Sequence, residues 1–163
     1  MLLLLILLPL AGALPLLLTR SESESGLGRW SCAVTGLTLL VMVLAVCTRF
    51  GESLDIPLCG IRFTLDGFRC IYGLVVSFMW FVSALLTPQY FRGHHHLRRY
   101  HFFFLLCLSF TMGVFLSADL YTTFLFFELM SLGSYVWVVQ EETPEALEAG
   151  KTYLTIAVLG GLV

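Results

Sequence analysis

One carboxylate, Glu128, lies in the middle of an otherwise apolar run, YTTFLFFELMSLGSYVWVV, at residues 121–139. An acid at the centre of a membrane-spanning helix costs about 2.5–3.5 kcal/mol on insertion scales, and such residues often mark ion or proton pathways. Burial also disfavours the charged form of a carboxylate. We therefore expect Glu128 to take up and release a proton near neutral pH. The alternative is an acid that hydrogen-bonds to a neighbouring helix and only fixes its packing.

Hydroxyl groups follow the same face of this predicted helix. At 100° per residue, Tyr121, Ser131 and Tyr135 stack near Glu128, whereas the rest of the circumference is largely Phe, Leu, Val and Met. We name these three residues the hydroxyl seam, and we predict that waters held along it carry protons to and from the acid.

Other charged residues stand near the ends of the predicted helices. Lys151 follows Glu148 by three residues and is expected to form an interfacial ion pair with it, or else to be a basic step in the proton pathway. Asp119 stands just before one apolar run and Asp66 just before another, where a carboxylate can cap a helix and complement its dipole.

The composition predicts an integral membrane protein. Of 163 residues, 58% are hydrophobic and 12% are charged, with a mean hydropathy of +0.91. Soluble domains have roughly 45–50% apolar and about 25% charged residues. The net charge of −2 and the lack of a basic stripe or a glycine-rich phosphate loop argue against a nucleic-acid partner or a nucleotide site.

Six apolar segments predict an all-α membrane fold of about six helices, since about 20 residues cross the hydrocarbon core. They lie at residues 2–18, 30–50, 68–90, 100–117, 119–139 and 149–163. The sixth is too short to span a bilayer, which suggests a fragment or a truncated product. The first carries AGA at 11–13, so a cleaved signal peptide is an alternative, but the absence of Lys and Arg from residues 1–19 favours a retained helix.

The basic residues are distributed unevenly between the two sides of the membrane. Six lie in loops on the side of the FRGHHHLRRYH segment, and three lie in the loop between the second and third helices. This bias predicts that the six face the cytoplasm and that the N-terminus is outside. In the outer loop, SLDI and IRFTLD flank the turn residues of PLCG, and the alternation of apolar and polar residues in IRFTLD predicts a short β-hairpin.

Cysteine and histidine residues give no strong metal signal. The five cysteines are scattered without a CxxC pair, which argues against iron–sulfur or zinc sites. Free thiols are expected, with a Cys59–Cys70 disulfide as an alternative. His94, His95 and His96, with His101 nearby, are interpreted as part of a polar cytoplasmic loop, because three adjacent residues of a regular element cannot all face one ion. Metal binding and local pH sensing are the alternatives.

Three segments resemble the antiporter-like proton-pumping subunits of respiratory complex I (NADH–quinone oxidoreductase), membrane-bound hydrogenases and Mrp-type cation/proton antiporters. They are FTLDGF at 63–68, FFELMSLGSYVWVV at 126–139 and EETPEALEAGKTYL at 141–154. The resemblance follows the whole chain in order. In sequence, the three segments are closer to the hydrogenase-like and complex-I-like subunits than to the antiporters.

The resemblance implies a fold of about fourteen helices with two inverted repeats, of which this chain holds only the leading part. In that family a glutamate on helix five works with a lysine on helix seven. Glu128 matches the glutamate, whereas the lysine has no counterpart here. Arg69 departs from the small polar residue usual after FTLDGF. The resemblance also implies no redox cofactor, and partner subunits that carry out the electron transfer of a redox complex. The absence of a transit peptide rich in Arg and Ser favours a bacterial or archaeal inner membrane.

Two functional hypotheses follow. The first is a membrane subunit that translocates protons, or exchanges cations for protons, through Glu128. The second is a structural fragment that scaffolds neighbouring subunits without conducting. A free-standing catalytic function is not favoured, since no segment offers a nucleophile with a base or a metal cluster.

Overall fold

The computed structural model describes residues 1–18, 24–57, 59–90 and 96–162. Within these ranges it has six helices and a two-stranded antiparallel hairpin, which confirms the predicted fold class. The elements are α1 Leu2–Leu18, α2 Glu24–Thr48, β1 Ser53–Ile56, β2 Ile61–Thr64, α3 Gly67–Tyr90, α4 Leu97–Leu116, α5 Leu120–Val138 and α6 Pro144–Leu162.

Three of the described helices are long and apolar enough to cross a membrane: Gly26–Thr48, Gly67–Tyr90 and Leu97–Leu116. Helix α1 is apolar but shorter. Helix α6 begins five residues before the predicted segment. The prediction began too late because it was based on hydropathy, and the first turn of α6 is polar. Thr143 caps this turn by accepting a hydrogen bond from the Ala146 backbone N–H at 3.1 Å, and Pro144 occupies the first helical position.

Helix α4 is the centre of the bundle. It packs against α1 and α5 along most of its length and also contacts α2 and α3. The Ser109 hydroxyl donates a hydrogen bond to the Ile6 carbonyl oxygen of α1 at 2.7 Å. On its other side, a Cβ at Gly113 would lie 2.2 Å from the Phe126 ring, so a glycine is required for α5 to approach this closely.

The hairpin covers one end of the bundle. Leu54 pairs with Phe63 in its register, and the Phe63 ring is buried against Phe126, with 5.6 Å between ring centroids. The Arg62 carbonyl oxygen accepts a hydrogen bond from the Ala118 backbone N–H in the α4–α5 linker. We call this the hairpin end, formed by residues 51–57, 59–66 and 117–119.

Both predicted aspartate caps are confirmed at the hairpin end. Asp119 accepts a hydrogen bond from the Thr122 backbone N–H at 2.8 Å, and Asp66 accepts one from the Arg69 backbone N–H at 2.9 Å. These backbone hydrogen bonds are the main reason that the pKa of each carboxyl is lowered. The Arg69 side chain pairs with Asp66 and donates from Nε to the Ser117 carbonyl oxygen at 2.8 Å. Arg69 therefore ties the start of α3 to the α4–α5 linker.

The opposite end is held by an arginine. Arg99, near the start of α4, pairs with Glu142 and donates from Nη2 to the Gln140 carbonyl oxygen at 3.1 Å. The hydrogen bond from Arg99 is the main cause of the lowered pKa of Glu142. We call this the arginine end, formed by residues 96–99 and the α5–α6 turn at 139–143. The ion pair fixes that turn and so sets the direction in which α6 leaves it.

All five cysteines are free, and Cys59 is exposed while Cys70 is buried, so the alternative disulfide does not form. His94 and His95 lie outside the described residues. His101 is separate from His96, because it is buried within the bundle and its Nδ1 lies 2.8 Å from the Ser31 hydroxyl of α2. Within the described ranges, no group of three His, Cys, Asp or Glu residues could hold a metal ion.

Candidate proton site between helices α5 and α6

Helix α5 lies between α4 and α6 and presents different residues to each. Toward α4 it presents Gly133, where a Cβ would lie 3.0 Å from the Cys107 sulfur. Toward α6 it presents Glu128. A Cβ at Gly161 of α6 would lie 1.8 Å from Oε1 of Glu128 and 2.8 Å from its Cδ. The carboxyl group therefore abuts the backbone of α6, in space that exists only because residue 161 is a glycine.

Glu128 is half-buried, and one oxygen of its carboxyl group is enclosed at the interface. Its Oε1 is shielded from solvent and has no hydrogen-bond partner among the described residues. Buried polar atoms nearly always have a partner, and a buried ionised carboxylate without one is strongly destabilised. The unpartnered oxygen would be satisfied by a cation or a hydrogen-bond donor that approaches it.

A pair of hydroxyls joins the two helices farther along the same interface. The Ser134 Oγ of α5 and the Tyr153 hydroxyl oxygen of α6 are 2.6 Å apart. Ser134 donates its single hydroxyl hydrogen to the Ser131 carbonyl oxygen at 2.9 Å, so Tyr153 is the donor to Ser134. Neither member of this pair belongs to the predicted seam. The sequence contains one signal that could have indicated this face of α6. The spacing of Gly150, Tyr153 and Gly161 places small or polar residues on one side of the helix.

The hydroxyl seam is spread along α5. Ser131 is buried, and Tyr135 lies against α6, where a Cβ at Gly150 would be 3.0 Å from the Tyr135 ring. Tyr121, by contrast, is exposed at the hairpin end near Gly60. Tyr121 and Tyr135 are each seven residues from Glu128, or about 10 Å along the helix axis. The seam residues share one side of α5, but the two tyrosine hydroxyls are too distant for direct hydrogen bonds to the acid.

Lys151 lies apart from Glu128. It precedes Gly161 by ten residues, which is about 15 Å along α6, and its side chain is exposed. The expected ion pair with Glu148 is wrong, since these two residues form no salt bridge in the described part of the chain. The two residues are three positions apart on the helix, and both are exposed at the polar start of α6.

No family model matches the chain, but several known proteins are similar to it in sequence. A putative antiporter subunit, mnhD2, of Staphylococcus haemolyticus (strain JCSC1435) is 31% identical over 165 aligned residues, covering 95% of this chain and 32% of the relative. This similarity supports an antiporter-like membrane subunit family for the chain. The mnhD2 protein of Staphylococcus aureus (strain JH9) is 32% identical over 103 residues, covering 62% of this chain and 20% of that relative. This antiporter-like chain thus spans about a third, or less, of the length of these relatives.

The fold of this antiporter-like chain also has a counterpart among solved structures. A chain of the membrane-bound sulfane sulfur reductase, an archaeal respiratory membrane complex, superposes with a TM-score of 0.82 over 98% of this chain and 34% of that chain. The sequence identity is 23%, so this likeness shows the fold alone. The relatives above are named as antiporter subunits, and the finer resemblance to hydrogenase-like and complex-I-like subunits stays a prediction.

Proposed function

We propose that this chain is the leading part of a subunit that moves protons, or exchanges a cation for protons, across a bacterial or archaeal membrane. Glu128 is the proton-binding group. The observation that carries the proposal is the Oε1 atom of its carboxyl, which is buried without a hydrogen-bond partner against Gly161 at the α5–α6 interface. The names of the antiporter relatives support the same reading.

The chemistry is a cycle of protonation. The neutral acid suits the apolar interface, whereas the carboxylate requires a cation or a donor beside it. Movement of a positive group toward Glu128 therefore favours proton release, and its withdrawal favours proton uptake. The hydroxyl pair of Ser134 and Tyr153 lies on the side toward the arginine end. Ser134 is six residues from Glu128, about 9 Å along the axis, so a proton reaches the pair through intervening water.

The proposed orientation follows from the ends of the bundle. Arg98 and Arg99 lie at the arginine end, and the N-terminus lies near the hairpin end, where its amino group contacts Glu52 at 3.0 Å. Facing the arginine end to the cytoplasm satisfies the positive-inside rule and leaves the N-terminus outside. In this orientation the chain sits in the lipid bilayer beside the other membrane subunits of a multi-subunit complex, which is redox-linked in the complex-I-like and hydrogenase-like branches of the resemblance.

The test is a transport assay on inverted membrane vesicles that contain the assembled complex. Glu128→Gln keeps the shape of the side chain and removes its titration, so we expect cation-dependent or substrate-dependent proton movement to be abolished. Glu148→Gln is the matched control, because Glu148 is exposed on α6, and it should retain transport. Immunoblotting of the purified complex verifies assembly of both variants.

A second candidate function is a non-conducting scaffold. It is favoured by the position of Lys151, about 15 Å along α6 from the glycine that contacts Glu128. Normal assembly with unchanged proton movement in Glu128→Gln would establish this alternative and reject proton transfer through Glu128.

A further inference from the structure

The turn between α5 and α6 contains a glutamate where the backbone favours glycine. Glu142 has a φ of 55°, in the left-handed region, and His96, which precedes α4 at the same end of the bundle, has a φ of 62°. Within the described ranges these are the two non-glycine residues with positive φ. A side chain in this conformation costs free energy, and such residues persist only where the surrounding structure holds them.

Arg99 holds Glu142 in this conformation. It pairs with the Glu142 carboxylate and donates from Nη2 to the Gln140 carbonyl oxygen at 3.1 Å, so one guanidinium of α4 contacts both a side chain and the backbone of the turn. The side chains of the pair are 32% exposed for Arg99 and 50% exposed for Glu142. Ion pairs at such positions contribute little to stability. Stability therefore does not account for a glutamate in place of glycine, which points to a role in geometry.

Beyond the turn, α6 is held to the bundle by a narrow interface with α5. Among the described residues of α6, only Gly150 is buried. A Cβ at Gly150 would lie 2.3 Å from a side-chain atom of α5, and Gly161 faces Glu128 in the same way. Glycines allow close approach but bury little apolar area, and the contact of Ser134 with Tyr153 adds a single hydrogen bond. The direction of α6 therefore depends on the turn from which it starts.

The glutamate site lies at the far end of α6 from this turn. Gly161 is about 25 Å along the helix from Pro144, so a change of about 5° in the direction of α6 would move Gly161 by about 2 Å. A displacement of this size would separate the α6 backbone from the Glu128 carboxyl and open its enclosed oxygen to water.

We propose that Arg99 and Glu142 are positioning residues for the proton site. Their ion pair joins the packed helix α4 to the α5–α6 turn and holds the last turn of α6 against Glu128. Loss of the pair lets the turn relax and α6 tilt away from the acid. The predicted effect on transport rests on the proposed function of Glu128, whereas the position of α6 is measured without it.

Electron paramagnetic resonance distances in the purified assembly test the position of α6. A spin label at Leu159 of α6 is paired in turn with one at Leu40 of α2 and one at Phe78 of α3, all exposed positions. The labels are attached to non-native keto amino acids, because the chain has exposed cysteines. In Glu142→Gly, which removes the carboxylate and the backbone cost together, we expect a shift of about 2 Å in at least one distance, with thermal stability retained. Glu141→Gly is the matched control in the same turn and should keep the wild-type distances.

A second pair of variants separates the ion pair from the backbone of the turn. Arg99→Gln removes the cation and leaves Glu142 in place, so it should shift the same distances and slow proton movement in the vesicle assay about tenfold or more. Arg99→Lys keeps the cation and should restore most of both. In the displaced variants the infrared C=O stretch of protonated Glu128 should also shift, since its surroundings become wetter. A loss of stability alone would not give this signature.

The proposal is overturned if both distances are unchanged in Glu142→Gly or in Arg99→Gln, or if Glu141→Gly shifts them equally. Failure of the proposed function has a different signature. In that case the distances shift as expected, while Glu128→Gln leaves proton movement at the wild-type rate.

Discussion

Polar side chains buried between α4 and its neighbours differ from Glu128, at the interface of α5 with α6, in whether they have hydrogen-bond partners. Three buried polar side chains of α4 are paired: Ser109 with the Ile6 carbonyl oxygen, His101 with Ser31, and Thr111 with the Cys107 carbonyl oxygen. At the α5–α6 interface Glu128 has no partner among the described residues. A buried polar group that is fully paired stabilises one structure, whereas an unpaired acid is available for chemistry.

The burial of apolar side chains also differs between α4 and α6. Leu105, Leu108 and Met112 of α4 are completely buried, whereas Ile156 and Leu159 of α6 are 66% and 58% exposed. Helix α4 is a packed centre that resists change, and α6 contacts the bundle along one face only. This difference makes α6 the element best able to shift relative to Glu128.

The largest predicted effect is on stability. Leu108→Ala in α4 should lower the free energy of unfolding by about 2–5 kcal/mol, because it leaves a cavity in a completely buried position. Ile156→Ala on α6 is the matched change at an exposed position and should have little effect. Both are measured by denaturant titration of the purified protein. Equal losses in the free energy of unfolding would mean that the outer face of α6 is packed as tightly as α4. That result would contradict the difference in packing between the two helices.

The next largest predicted effect is on the rate of proton transport. Gly161→Ala should displace the Glu128 carboxyl, since the new Cβ would stand 1.8 Å from Oε1, and a misplacement of this size should slow proton movement about tenfold or more. Gly160→Ala is a closely matched control, because a Cβ there meets nothing within 4 Å. The vesicle assay compares the two. Similar rates for both variants would show that the contact with Gly161 does not position the acid.

Two serine substitutions distinguish a polar group that stabilises helix packing from one that is proposed to take part in transport. Ser109→Ala should lower stability by about 1 kcal/mol, because it removes a buried hydrogen bond between helices, and should leave transport unchanged. Ser134→Ala breaks the contact with Tyr153 and should lower the transport rate. Thermal denaturation and the vesicle assay are run on both variants. If Ser109→Ala slows transport and Ser134→Ala does not, the assignment of roles is reversed.

The smallest predicted effect concerns acid sensitivity at the hairpin end. The pKa of Asp119 is lowered in the folded protein from its ordinary value of 3.8. Its carboxylate therefore stabilises the fold above about that pH, and the stabilisation is lost as pH falls through the lower folded-state pKa. Asp119→Asn retains a capping side chain but should flatten the pH dependence of stability in this range. Asp55→Asn, on the exposed hairpin strand, is the control, and a larger change there would contradict the assignment.

Local patterns predicted the elements, whereas contacts between elements required the structure. Period-2 alternation in IRFTLD predicted β2, and the 100° rotation per residue placed Ser131 and Tyr135 on the side of Glu128. The Gly161 contact and the Tyr153 hydroxyl depend on how α6 packs against α5, which no pattern within α5 reveals. The role of Arg69 was missed for the same reason, since its Nε bonds Ser117, 48 residues away. The start of α6 was missed because its capped first turn is polar.

Infrared difference spectroscopy of the purified complex tests the central claim most directly, because the C=O stretch of a protonated carboxyl group is distinct from the bands of a carboxylate. The spectrum is recorded across a pH titration, and again on addition of the transported cation. We predict a protonated-carboxyl band that gains and loses intensity reversibly in the wild-type protein and is missing from Glu128→Gln, but present in Glu148→Gln. A band that is identical in Glu128→Gln and the wild-type protein would contradict the assignment of Glu128 as the proton-binding group.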